Sequence, residues 1–234
     1  MTDRRTDNLG YWCHEAARAH ASRIALVDLS RAQPREVSYR ELEERLDRFA
    51  AMVAAAGLRP GDRMAMAIGN RFEFVEVMFG AMRAGVVPVP MNTKLGADTL
   101  AYVLADSGAI AAVVDPASNP RIVAACDAAP LRAKFALDGA LPGWRDYESS
   151  LQASPAAFEP PALAPDHMSF LPYTSGSTGK PKGVVLTHAG QLWWIRTLQK
   201  HWPSGPGDRA LAMRSLCCRR SVKTAGTPPA TVHR

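Results

Sequence analysis

Residues 173–188 read YTSGSTGKPKGVVLTH, and they gather groups that suit a negatively charged ligand. Thr174, Ser175, Ser177 and Thr178 supply hydroxyls, Gly176 and Gly179 let backbone N–H groups turn inward, and Lys180 adds a mobile positive charge. Pro181 then interrupts local pairing and Lys182 re-enters a following strand. The chemistry expected of such a loop is the holding of a polyphosphate. It is not a Walker A loop, because Thr174 and Pro181 stand where that motif needs Gly and Ser or Thr. Nor does it match the G-x-G-x-x-G dinucleotide pattern. Gly, Ser, Thr, Pro and Lys are also ordinary turn residues, so composition alone leaves a soluble hairpin loop as an equal alternative.

Elements must position these groups. MSFLPYT (168–174) and GVVLTH (183–188) are expected as flanking strands, and AGQLWWIRTLQKHW (189–202) as a helix with Leu192, Ile195, Leu198 and Trp202 near one face. Trp193 and Trp194 are read as packing residues. Upstream, ASPAAFEPPALAP (153–165) reads as an extended proline-rich linker. Between residues 24 and 137, IALVDL, RMAMAIG, VVPVP, AIAAVV and AKFAL read as strands alternating with helices. Ser38 and Glu41 form a capping box for the first of these helices, which ends at Gly57. Asn70 is placed to cap the second, which ends before Gly85, and a third stops at Gly108. This alternation predicts an α/β fold with a largely parallel sheet flanked by helices over residues 1–152. Residues 166–212 then begin a second subdomain. Glu41, Glu43 and Glu44 beside Arg40, Arg45 and Arg48 read as a solvated helix face.

The chain has 234 residues, 47% of them hydrophobic, which is enough for a substantial core and excludes a disordered chain. Its net charge of +6 suggests nucleic acid until it is located. Arg214, Arg219, Arg220, Lys223 and Arg234 lie in a stretch without acids, so the body is close to neutral and carries no basic face with interleaved aromatics. No nucleic-acid partner is expected. No long apolar run is present, so no membrane span is expected, and the charged N-terminus reads as that of a cytoplasmic protein. Cys13, Cys126, Cys217 and Cys218 have neither disulfide-scaffold density nor metal spacing and read as reduced structural thiols; Cys13 and His14 do not form a metal pair.

The loop resembles the phosphate-binding signature of the adenylate-forming (AMP-binding) superfamily of acyl-CoA synthetases, peptide-synthetase adenylation domains and luciferases. VSYRELEERLDRFA (37–50) and FGAMRAGVVPVPMNTKL (79–95) resemble two further family motifs, in the family's order. The resemblance implies ATP as substrate with Mg²⁺, a small-molecule carboxylic acid, and coenzyme A as the usual acceptor thiol. It implies that Thr174, Ser175, Gly176, Ser177, Thr178, Gly179, Lys180 and Lys182 hold the β and γ phosphates, and that Thr174 also helps hold Mg²⁺. No catalytic residue is assigned within this chain, because the family's catalytic lysine belongs to a C-terminal domain that these residues do not include. Ser38, Tyr39, Glu41, Leu42, Gly85, Pro88 and Pro90 are read as structural. His188 either faces the family's acyl channel or caps the helix it begins, and both readings stay open.

From Met213 the family pattern stops, and residues 213–234 show no helix or strand period. The expected reading is a frame-shifted or mis-predicted end, hence a truncated ligase with a disordered basic tail. The alternatives are a genuine tail for an acidic partner, and a non-catalytic product that binds nucleotide or a partner.

Overall fold

The computed structural model describes residues 3–92, 94–118, 120–139, 141–174, 179–201, 208 and 210. A 3₁₀ turn at Leu9–Tyr11 leads to α1 (His14–Ala19) and then to β1 (Ile24–Asp28) and β2 (Arg35–Ser38). These two strands pair with each other, antiparallel, in a sheet of their own. IALVDL therefore does not join the parallel sheet expected of it. The six residues between β1 and β2 suffice for a reversal, and a parallel crossover needs roughly a dozen or more. β2 itself was not anticipated.

α2 (Tyr39–Ala55) starts as its sequence predicts, with Ser38 Oγ accepting from the Glu41 N–H at 3.2 Å. The reciprocal half of the box is replaced, since the Glu41 carboxylate accepts from Arg35 at 2.9 Å. The chain then lays down β3 (Arg63–Ala67), α3 (Phe72–Arg83), β4 (Val87–Pro90), α4 (Ala97–Ser107), β5 (Ala109–Val114), α5 (Pro120–Ala128), β6 (Ala133–Ala136), β7 (Arg145–Asp146) and α6 (Tyr147–Gln152). β3 to β7 form one five-stranded sheet in the order β4-β3-β5-β6-β7, every pairing parallel.

Both faces of that sheet are covered, which is why its strands read as unbroken apolar runs. Met64 and Met66 point to a cluster with Phe49, Val53, Phe74, Val77 and Phe135, built by α2, α3 and α6. Ala65 and Ala67 point to the other side, against Leu100, Val103 and Ile122 of α4 and α5. Gly85, after α3, holds a left-handed φ of +71°, and a Cβ there would lie 2.9 Å from Leu163 and 3.0 Å from Pro60. Pro88 and Pro90 lie on β4, an edge strand, where a missing N–H is tolerated.

The N-terminus of α3 departs from its expected cap. Arg71 rather than Asn70 occupies the cap position, and Asp28 at the end of β1 accepts from the Phe72 N–H at 3.1 Å. A carboxylate distant in sequence thus does the work expected of a neighbour. The charged face expected on α2 is also partly internal. Arg45 is 7% exposed and binds Glu76 of α3 and Glu148 of α6, while Tyr147 donates to Glu76. Arg83, fully buried at the end of α3, binds Glu43 and Asp47 of α2 and the Gly10 carbonyl. Periodicity marks such positions as polar; it does not show the acids waiting on neighbouring helices.

Residues 153–165 contain no helix or strand; Phe158 packs against the first core cluster and Pro160 is buried. The chain continues through β8 (Met168–Phe170), β9 (Tyr173–Thr174), β10 (Lys182–Gly183), β11 (Leu186–Thr187) and α7 (His188–His201).

Candidate functional site

The loop is carried by two short antiparallel ladders rather than by two continuous strands: β8 pairs with β11, and β9 with β10. Pro172 has no N–H to donate and divides the expected MSFLPYT strand. Just before it, the Leu171 N–H donates to the Pro88 carbonyl at 3.0 Å, hooking the unit onto the edge of the parallel sheet. Just after it, the β9–β10 pair is closed by the Val184 N–H donating to the Pro172 carbonyl at 2.9 Å. Thr174 faces Lys182 across the ladder, and its hydroxyl lies 3.5 Å from the Lys182 carbonyl.

Of the residues assigned to phosphate holding, Thr174, Gly179, Lys180 and Lys182 are described; Ser175, Gly176, Ser177 and Thr178 lie outside the described residues. Thr174, Lys180 and Lys182 are exposed at the mouth of the hairpin. Gly179 has φ +92° with open space where a Cβ would sit, so backbone conformation rather than crowding calls for glycine there. Two lysines and a hydroxyl thus flank a glycine-rich turn, an arrangement that can neutralise and hydrogen-bond a polyphosphate.

Sequence reasoning missed the support beneath this hairpin. Tyr173 donates its hydroxyl to Asp106 of α4 at 2.6 Å, Tyr102 donates to the other oxygen of Asp106 at 3.2 Å, and the Lys180 ammonium lies 5.4 Å from the centre of the Tyr102 ring. Burial first, then the hydrogen bond to Asp106 and the Asp106 charge, push the Tyr173 hydroxyl above its ordinary pKa, so it remains a donor. The i, i+4 spacing of Tyr102 and Asp106 on a helix is readable in the sequence; their meeting with residues 173 and 180 is not.

The His188 side chain does not cap the helix it begins. It is 1% exposed, its Nδ1 accepts from the Leu9 N–H at 2.9 Å, and its ring stacks on His167 at 5.7 Å. Burial pushes its pKa down to about 4, so the ring is neutral with its proton on Nε2, an atom with no partner among the described residues. The expectation that both tryptophans pack is overturned: Trp193 and Trp194 are 65% and 45% exposed, while Leu192 and Ile195 face Leu9 and Met82. Cys13 and Cys126 are free, buried thiols, each pushed up to about 12 by burial, so neither is a nucleophile.

A second depression opens where β3, β5 and β6 end, the side on which open parallel sheets bind ligands. It encloses about 310 Å³ and is lined by Ser30, Arg31, Gly69, Asn70, Arg71, Asp115 and Asp138. Its cations are already matched, Arg71 with Glu73, Asp115 and Asp138, and Arg31 with Glu73 and Asp28. It therefore offers an anion less than the hairpin does.

The family model for "AMP-binding enzyme" matches residues 13–224, most of the chain. The chain belongs to the AMP-binding enzyme family. It is 35% identical over 214 residues to a feruloyl-CoA synthase of an Amycolatopsis species, covering 91% of this chain and 40% of that protein. It is 33% identical over 184 residues to the long-chain-fatty-acid–CoA ligase FadD13 of Mycobacterium tuberculosis, covering 77% of this chain and 35% of that one. The structure superposes on a benzoate CoA ligase from Burkholderia xenovorans LB400 with a TM-score of 0.70 and 28% identity, over 82% of this chain and 36% of that one. These relatives establish the AMP-binding α/β fold, and the chain spans well under half their length. Among the described residues no helix is long and apolar enough to cross a membrane.

Proposed function

We propose that this chain carries the phosphate-holding part of a cytoplasmic ATP-dependent acid–thiol ligase of the acyl-CoA synthetase type. The observation that carries the reading is the exposed Thr174, Lys180 and Lys182 around a glycine-rich turn, within an AMP-binding match over residues 13–224. In the proposed reaction a carboxylate oxygen attacks the α-phosphorus of ATP, the bond to the bridging oxygen breaks, and pyrophosphate leaves with the electron pair. An acceptor thiol, coenzyme A in the relatives' printed names, then displaces AMP from the acyl adenylate. The chain's own contribution is to hold the β and γ phosphates. Lys180 and Lys182 offset the charge that gathers on the leaving pyrophosphate, and the Thr174 hydroxyl adds a hydrogen-bonding group beside them.

Thr174 suits Mg²⁺ as one neutral oxygen ligand, since its exposed hydroxyl stands beside the phosphate-holding turn and Mg²⁺ takes most of its ligands from phosphate and water. Bound there, the metal would supply charge neutralisation to the phosphates. The fraction of the relatives' length that the chain spans favours a narrower reading for these residues taken alone: nucleotide binding without adenylate formation.

Calorimetric titration of the chain with Mg-ATP tests the phosphate-holding step. Binding weakened about tenfold by Lys180→Ala, with an unchanged melting temperature, is expected from loss of one charge-assisted contact. Equal affinity in both proteins sinks the reading. Acid-dependent ATP–pyrophosphate exchange, in a protein that extends this chain to its relatives' full length, tests the ligase reaction.

A further inference from the structure

The hairpin that bears the exposed lysines is too short to hold its own shape. β9 and β10 are two residues each, and β10 is exposed on both. A two-stranded ribbon of that size is at best marginal in water. Something outside it must set where Lys180 points.

The outside support is the C-terminal half of α4. Asp106 accepts two phenolic hydrogen bonds, one oxygen from Tyr173 at 2.6 Å and the other from Tyr102 at 3.2 Å. The first ties β9 to the helix. The second fixes the Tyr102 ring on the helix surface, where its face meets the Lys180 ammonium at 5.4 Å. One carboxylate therefore sets both the strand before the loop and the ring beneath the loop's cation. α4 is itself firmly placed, with Leu100, Val103 and Leu104 buried against the parallel sheet and Gly108 closing its end at φ +60°.

We propose that Tyr102 and Asp106 are positioning residues of the phosphate site: Asp106 holds the hairpin through Tyr173, and the Tyr102 ring holds Lys180 at the mouth of the turn. The inference rests on the phosphate-holding reading given above. It makes the reach of the lysine a property of α4, more than 60 residues upstream of the hairpin. A phosphate oxygen arriving at the turn then meets an ammonium already nearby, so less side-chain freedom is lost on binding than for a lysine free in solvent.

Tyr173→Phe, Asp106→Ala, Tyr102→Leu and the conservative Tyr102→Phe test this in the chain as it stands. Two quantities are read: amide exchange at Lys182, Gly183 and Val184 without ligand, and affinity for inorganic pyrophosphate. Exchange at Met64 and Met66 reports whether the core stays intact. Tyr173→Phe and Asp106→Ala are expected to speed exchange in the hairpin and to weaken pyrophosphate binding, each by about three- to tenfold, while leaving Met64 and Met66 unchanged. Tyr102→Leu is expected to weaken binding about threefold, and Tyr102→Phe, which keeps the ring face and loses only its bond to Asp106, to weaken it by less. That rescue would not follow if the ring only filled space, because leucine does so too.

Unaltered hairpin exchange in both Tyr173→Phe and Asp106→Ala overturns the proposal, whatever happens to pyrophosphate. In a wild-type chain that binds, faster exchange with unaltered affinity overturns it as well. A wild-type chain that binds no pyrophosphate overturns the phosphate-holding reading instead, and the exchange data then decide whether α4 braces the hairpin.

Discussion

In the parallel sheet, Met64, Ala65, Met66 and Ala67 are each at most 1% exposed, whereas in the hairpin Thr174, Lys180, Lys182 and Gly183 are all exposed. The sheet draws its stability from two apolar faces; the hairpin draws its shape from a hook on β4 and a carboxylate on α4. The proposed chemistry thus sits on the part least able to stand alone. That division suits the polyphosphate-holding role proposed for the loop, since local stability would oppose ligand exchange.

The contrast can be broken first at the core. Phe135→Ala, which removes a fully buried ring from the first core cluster, is expected to cost about 3–5 kcal/mol in denaturant unfolding. A loss below about 1 kcal/mol would deny the sheet its role as the rigid partner.

A smaller effect is expected from pH. The pKa of His188 is depressed to about 4, below its ordinary 6.5, so between those values the unfolded chain binds a proton that the folded chain refuses. The stabilisation is therefore complete above about pH 7 and is lost as pH falls from about 6.5 towards 4. Between pH 7.5 and 4.5 the loss attributable to this residue is on the order of 2 kcal/mol. His188→Asn, which keeps an acceptor for the Leu9 N–H, should remove that share of the acid sensitivity, and unfolding curves at the two pH values check it. An unchanged pH dependence would show that the buried ring is not the source.

Least should follow from Trp193→Ser on the exposed side of α7, within about 0.5 kcal/mol in the same assay, because little packing is lost there. A larger loss would mean that this side of the helix is covered in solution.

Much of the sheet was legible because its signals are local. Apolar runs at β3, β4, β5 and β6, the Ser38 cap, and left-handed glycines at positions 57, 85 and 108 all act within a few residues. At residues 173–188 the groups that suit an anion were legible as residue types, while the preference for a phosphate loop over a soluble turn came from the resemblance and not from composition. What escaped was long-range: β1 pairing with β2 rather than entering the sheet, Asp28 capping α3, Arg45 turning inward to Glu76 and Glu148, and Asp106 reaching Tyr173. Each depends on which elements become neighbours, and residue type alone carries little of that information. Trp193 and Trp194 misled in the opposite sense, since aromatic character predicts burial only where a neighbour exists to provide it.

The bond between the Leu9 N–H and His188 spans 179 positions of chain, and it has a consequence for how the molecule is made. During synthesis residues 8–10 emerge before α3, and Asn8 and Gly10 can settle against Arg83 as soon as α3 has formed. His188 must then find a ledge completed long before it. Contacts of such separation close late and slow folding. The hairpin and α7 are therefore expected to fold after the parallel sheet, docking as a late-arriving clasp on it.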